Sequence, residues 1–155
     1  MYIRAGKERE QYASWLQKYH WDYFLTCTFR KPRREPYYAL KHVWQELRQH
    51  NVKRGFLACE PHESSDIHIH GIIAGNYGFG IVNWKPEMAS PFDIWHGLFK
   101  RFGRSKVELC NSHEAVTAYC SKYILKQQSR VLDYYEVYGN KYAWDSTNYE
   151  FSDKG

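Results

Sequence analysis

Apolar positions along this chain repeat with two periods, and the changes between them divide it into short elements. Tyr12, Trp15, Leu16 and Tyr19 recur at helical spacing, which predicts a short helix over 8–18. From 21 to 29, Phe24, Thr26 and Thr28 alternate with Leu25, Cys27 and Phe29, the pattern of a strand with two different faces. Pro32 and Pro36 mark a loop. Pro36 suits the first turn of a helix over 36–50, whose apolar stripe is Tyr37, Leu40, Trp44 and Leu47. Strands follow over 53–60 and 66–74, separated by a turn over 61–65, and Gly75, Gly78 and Gly80 then make a loop. Ser90, Pro91 and Asp93 provide a cap, a first-turn proline and an acid near the positive end of a helix dipole. Trp95, Leu98, Phe99 and Phe102 give that helix its apolar face, and Gly103 stops it. A short strand over 105–110 leads to Asn111 and Glu114, which read as a capping box opening a helix over 112–128. The tail from Leu132 is rich in tyrosine and has no clear period.

After the first helix the order is strand, helix, strand, strand, helix, strand, helix. The first six elements form the split βαβ arrangement, an α+β, ferredoxin-like (RRM-like) antiparallel sheet. That arrangement predicts helices on one face of the sheet and a second face free for ligands. No repeat or low-complexity linker interrupts it, so 1–155 is expected to form a single domain.

Composition narrows the classes. At 43% hydrophobic and 18% aromatic, the chain has enough apolar surface to build a core. Its apolar runs are too short and too often charged to span a membrane. Lys7, Arg9 and Glu10 near the start do not fit a secretory signal, so an intracellular location is expected: the cytoplasm, or the nucleus for a eukaryotic virus. The net charge of +5 permits a polyanion partner without requiring one. None of the four cysteines forms a CxxC pair, which disfavours zinc ribbons and thioredoxin-like sites. Cys27, Cys59 and Cys120 stand among apolar or small residues and are expected to be reduced core thiols.

The first candidate chemistry lies in the strand over 66–74. Side chains alternate along a strand, so His68 and His70 share one face, about 7 Å apart along the rise, while Ile67 and Ile69 take the other. A lone His-x-His is more often a pair of half-exposed strand histidines than a metal site. Here histidine interrupts an otherwise apolar strand, and Glu60 ends the preceding strand of the same hairpin. Two imidazoles and one carboxylate leave open positions that suit Mg²⁺ or Mn²⁺ bound to substrate oxygens, with zinc chemically possible. His62 and Asp66, in or beside the turn, rank below Glu60 as the acid or third ligand.

The second candidate is the last helix. Tyr119, Lys122, Tyr123 and Lys126 fall within an arc of roughly 100°. Taken alone, such a face is more often a solvated amphipathic surface. Neighbouring ammonium groups favour a phenolate and attract phosphate, and a phenolate can attack a phosphodiester to give a covalent enzyme–DNA link.

With these residues together, the chain resembles the HUH endonuclease superfamily, in particular the rolling-circle replication initiators (Rep proteins) of phages, plasmids and small single-stranded DNA viruses. Phe24-Leu25-Thr26-Cys27-Thr28-Phe29 is similar to the family's first motif, His68-Ile69-His70 to its histidine–hydrophobic–histidine motif, and 119–126 to its nucleophile motif. The tyrosine-last order argues against relaxases. The resemblance implies an HUH nuclease fold and a metal site completed by Glu60, which stands eight residues before His68. It implies Tyr119 as nucleophile and Tyr123 as a second one, with Lys122 and Lys126 steering phosphate or assisting proton transfer. Mn²⁺ or Mg²⁺ would be the cofactor and single-stranded DNA, as an origin hairpin, the substrate. The sequence has no GxxxxGK[ST] phosphate loop. A helicase domain is therefore not expected, and unwinding would fall to a host or partner helicase.

DNA held across a sheet face needs basic groups for phosphates and aromatic rings for bases. Arg30, Lys31, Arg33 and Arg34 are the densest basic cluster and are the expected DNA-binding residues; Lys100, Arg101, Arg104 and Lys106 form another. Tyr134, Tyr135, Tyr138, Tyr142 and Trp144 in the tail suit either base stacking or core cover. Two rival readings stay open at this level: an HUH transposase of a small mobile element, and a non-catalytic single-strand nucleic-acid-binding module. The sequence does not indicate an oligomeric state.

Overall fold

The computed structural model describes residues 7–31, 33, 35–61, 67–76, 87–110, 112–125 and 134–139. Its elements are α1 (Lys7–Leu16), β1 (Tyr23–Thr28), α2 (Pro36–Gln49), β2 (Arg54–Pro61), β3 (Ile67–Ala74), α3 (Pro91–Arg101), β4 (Ser105–Leu109), α4 (His113–Tyr119), a π-helical turn (Cys120–Ile124) and β5 (Tyr134–Tyr138). The strands form one sheet in the order β4-β1-β3-β2-β5, with every neighbouring pair antiparallel. For β1 to β4 this is the order that two interleaved split βαβ units produce. The α+β, ferredoxin-like expectation therefore holds, extended by β5 at one edge.

Registers assign the faces. Phe24, Thr26 and Thr28 of β1 stand opposite Ile72, His70 and His68 of β3, and Phe56 and Ala58 of β2 stand opposite Ile72 and His70. Directly opposed residues in an antiparallel ladder share a face, so all of these lie on a first face. Leu25, Cys27, Leu57, Cys59, Ile67, Ile69 and Ile73 make up the second. The second face packs under α2 and α3 through Ala39, Leu40, Val43, Leu47, Ile94 and Leu98, all fully buried.

The first face is not left free, contrary to the sequence-based expectation. Tyr12, Ala13, Trp15 and Leu16 of α1, together with Val116, Tyr119, Cys120 and Ile124, bury Phe56, Ala58 and Ile72 beneath them. The physical reason lies in the strands. This face carries its own apolar residues, and the stripe of α1 also has to leave water. Only the end around Thr26, Thr28 and His68 stays half-exposed. The tyrosine-rich tail adds to the same core. Tyr135 of β5 stands opposite Ala58, is buried, and hydrogen-bonds the Tyr12 hydroxyl. Tyr138 stacks on Trp44 at 4.9 Å on the opposite face. Both thus cover the core, while Tyr142 and Trp144 lie outside the described residues.

Two helix boundaries differ from the sequence reading. Ser112, rather than Asn111, caps α4, its hydroxyl accepting from the Ala115 amide at 3.1 Å. The expected single helix over 112–128 stops being α-helical after Tyr119, where the Leu125 amide donates to the Cys120 carbonyl at 2.8 Å and closes a wider turn. The cap of α3 is as expected, with the Ser90 hydroxyl accepting from the Asp93 amide at 3.2 Å and Pro91 in the first turn. Cys27, Cys59, Cys110 and Cys120 are buried free thiols. Among the described residues, no helix is long and apolar enough to cross a membrane.

Candidate active site

In β3, Ile67 and Ile69 are drawn into the α2/α3 core, and strand alternation turns His68 and His70 to the first face. His68 is half-buried, and its Nδ1 lies 3.3 Å from the Thr28 hydroxyl on the neighbouring strand. A hydroxyl on one ring nitrogen fixes the ring orientation and leaves the other nitrogen to serve as a ligand. His70 is 4% exposed and sits where the last helical segment crosses the sheet.

The crossing brings both candidate tyrosines onto His70. The Tyr119 hydroxyl lies 2.9 Å from His70 Nδ1. The Tyr123 ring stacks on the imidazole with centroids 4.3 Å apart and planes inclined by 25°. The π-helical turn accounts for this double contact. Residues four apart in an α-helix overshoot one turn by about 40°, and an i→i+5 turn reduces that offset. Such turns are frequent at functional sites. Phe24 stacks on Tyr119 from the other side at 5.4 Å, and the Lys122 ammonium lies 5.0 Å from the centroid of the Tyr123 ring.

Burial, and secondarily the Lys122 charge, push the His70 pKa down to about 3. The imidazole is therefore neutral at physiological pH, the state in which it can bind a metal or share a proton with a phenol. Beside it opens a cavity of about 300 Å³ lined by Phe24, Thr26, His70, Tyr119, Lys122 and Tyr123, among others. That volume admits a phosphodiester segment next to the two phenols.

Glu60 occupies the register position directly opposite His68 on β2. Among the described residues, no third His, Cys, Asp or Glu side chain forms a metal-binding group with the histidine pair. The register position makes Glu60 the carboxylate that fits the pair. His62 and Asp66 lie outside the described residues, as do Lys126 and Arg34. Two neutral imidazoles from one strand face and a carboxylate on the adjoining strand form a donor set that suits a divalent cation with open positions.

The basic cluster after β1 divides. Arg30 and Lys31 are exposed. Arg33 is turned toward the other side of the sheet, its guanidinium 4.8 Å from the Phe29 ring centroid and its Nη1 donating to His42 Nδ1 at 2.6 Å. Of the second cluster, Lys100, Arg104 and Lys106 are exposed, while Arg101 lies 3.4 Å from the Glu46 carboxylate. The sequence reading did not assign Phe24 or Thr28 to the site. Their shared parity with Thr26 on β1 was the available signal, since all three must face the histidines once β1 pairs with β3.

Comparison with known proteins gives a family match in the same region. The family model for the replication-associated protein ORF2 matches residues 22–128, which include β1, both histidines and both tyrosines of the site. No curated protein and no solved structure matches the chain. The match covers well over half of the sequence, and the chain accordingly belongs to this replication-associated protein family, with a role in replication.

Proposed function

We propose that the protein is an HUH-type endonuclease and strand transferase that nicks single-stranded DNA and thereby initiates rolling-circle replication. The observation that carries this reading is the 2.9 Å contact between the Tyr119 hydroxyl and His70. It joins a phenol of the last helical segment to one of the two strand histidines, within a family already tied to replication.

Glu60, His68 and His70 would hold Mn²⁺ or Mg²⁺. When bound, such a cation polarises the phosphoryl oxygens and offsets the charge that develops on them. The remaining chemistry belongs to the chain. An unperturbed phenol, with a pKa of about 10, is a weak nucleophile at neutral pH. With its proton on Nδ1, His70 donates to the Tyr119 oxygen and favours the phenolate. The phenolate attacks phosphorus, a bond forms from Tyr119 Oη to the phosphorus, and the bond to the 3′ oxygen breaks. The products are a 5′-phosphotyrosine link and a 3′ oxygen that takes up a proton. Lys122, exposed at the cavity, attracts the phosphate and is placed to supply that proton. The link preserves the phosphodiester bond energy, so attack by a 3′-hydroxyl reverses the step and joins strands. Tyr123, on the same imidazole, would serve a second cleavage.

The test is a denaturing gel of protein incubated with Mn²⁺ and a pool of single-stranded oligonucleotides. A mobility-shifted adduct that disappears with EDTA supports the reading. Binding with no adduct at any metal concentration would instead assign the fold to a non-catalytic single-strand-binding module.

A further inference from the structure

The covering of the first face by α1 and α4 restricts where a bound strand can run, and an exposed aromatic stripe on α3 offers a continuation. Phe92, Trp95, His96 and Phe99 recur at i, i+3, i+4 and i+7 along that helix. Phe92 is 66% and Phe99 44% exposed, while Ile94 and Leu98 on the opposite side fill the core. The rings are ordered against one another. Trp95 and Phe99 stack at 5.4 Å and 19°, and Phe92 and His96 lie at 6.1 Å and 6°. Trp95 is anchored by its indole N–H, which donates to the Ser105 carbonyl at 3.0 Å.

Cations surround this stripe. The Arg30 guanidinium lies 5.7 Å from the Phe99 ring centroid and donates to the Phe99 carbonyl at 2.8 Å, and Lys100, Arg104 and Lys106 are exposed around it. The acids among them are Asp93 in the first turn of α3 and Glu108, which lies 3.8 Å from Lys106. The stripe also adjoins the histidine site. Arg104 and Phe102 accept backbone hydrogen bonds from Thr28 and Arg30 at 2.8 and 2.6 Å, so the turn after α3 wraps the end of β1. Thr28 is the residue whose hydroxyl meets His68. Lys106 stands opposite Thr26 on the histidine face.

We infer that single-stranded DNA leaving the histidine–tyrosine site passes over the β4 edge onto α3. Its bases stack on Phe92 and Phe99, and its phosphates are followed by Arg30, Arg104 and Lys106. The inference rests on the nicking reading for its substrate. Aromatic rings interleaved with cations are the arrangement that binds unpaired strands with little sequence preference. An apolar protein partner would give no role to the cations around the rings.

The experiment measures fluorescence anisotropy of labelled dT20 and of a 20-residue abasic strand, without metal, with wild-type protein and with the Phe92→Ala/Phe99→Ala double variant. Both rings are exposed, so the fold is retained, which circular dichroism checks. The expected result is a loss of affinity for dT20 of about tenfold or more, with no loss on the abasic strand. Unchanged affinity for dT20 overturns the inference, as does failure of the wild-type protein to bind it. An equal loss on both strands overturns base stacking. Loss of a dimer in light scattering with DNA affinity intact reassigns the stripe to self-association. If affinity falls as expected but the wild-type protein forms no tyrosine adduct with any strand, the path over α3 stands and the nicking reading fails.

Discussion

The Tyr119 hydroxyl and His70 Nδ1, 49 positions apart in sequence, meet at 2.9 Å across the interface between the last helical segment and the central strand. This contact joins the two candidate chemistries of the chain. It also means that the phenol does not wait in bulk water: Tyr119 is 5% exposed, held between Phe24 and the histidine. Removing only the hydroxyl tests its role while preserving the packing. Tyr119→Phe is expected to keep a cooperative unfolding transition within about 1.5 kcal/mol of wild type and to lower adduct formation by at least about 10³-fold. Retention of more than a tenth of the adduct rate would move the nucleophile elsewhere.

Thr28 makes a second measurable contribution. Its hydroxyl lies 3.3 Å from His68 Nδ1 and fixes the ring. Thr28→Val keeps the β-branched shape and removes that bond. Affinity for Mn²⁺, followed by calorimetry or by the signal of the free ion in electron paramagnetic resonance, is expected to fall about 10–100-fold. His68→Ala should lose more. Unchanged affinity in Thr28→Val would show that the hydroxyl does not orient a ligand.

Gly71, immediately after His70, is expected to be intolerant of substitution. A Cβ there would lie 2.5 Å from Leu57 Cδ2 and 2.6 Å from the Phe56 carbonyl oxygen. The leucine tip can move, but the carbonyl belongs to the β2–β3 ladder. Gly71→Ala should therefore push the strands apart and cost about 1–3 kcal/mol in urea unfolding, with a loss of metal affinity because Glu60 and His68 occupy opposed positions on the same ladder.

The buried thiols set a pH dependence at the alkaline end. Burial pushes the Cys27 thiol up to about 11 and the Cys120 thiol up to about 12. An unfolded thiol ionises near 8.5, so the folded state binds more protons than the unfolded state above that pH. The stabilisation is complete below about pH 8.5 and is lost as pH rises through 11. The urea midpoint should accordingly hold steady from pH 7 to 8.5 and fall between pH 9 and 10.5. Ellman's reagent should label these two cysteines at pH 8 only after denaturation. Rapid labelling of the native protein at pH 8 would show that they are not buried thiols.

Where the sequence was legible, the reason was periodicity. Strand alternation put His68 and His70 on one face and the isoleucines on the other, and the Ser90–Pro91–Asp93 signal located α3. The occupied first face was not legible, because period alone does not say which side of the sheet α1 will choose. The π-helical turn was hidden for a related reason. Cys120–Ile124 has ordinary helix-forming composition, and the wider turn arises from packing Tyr119 and Tyr123 against one imidazole. Strand β5 went unrecognised because Tyr134–Tyr138 has no apolar alternation, and its pairing with β2 is set by the edge it completes. Arg33 shows the limit of counting charges: it stands among basic neighbours, yet its guanidinium packs on Phe29.

The most direct test of the central claim uses the tryptic map of the adduct. Cleavage after Lys106 and Lys122 places Tyr119 in peptide 107–122 and Tyr123 at the start of the next one. Protein reacted with Mn²⁺ and single-stranded DNA, treated with nuclease and trypsin, should carry a nucleotide mass on peptide 107–122, and none in Tyr119→Phe. A nucleotide found only on a peptide that lacks Tyr119, or on none, would contradict the account.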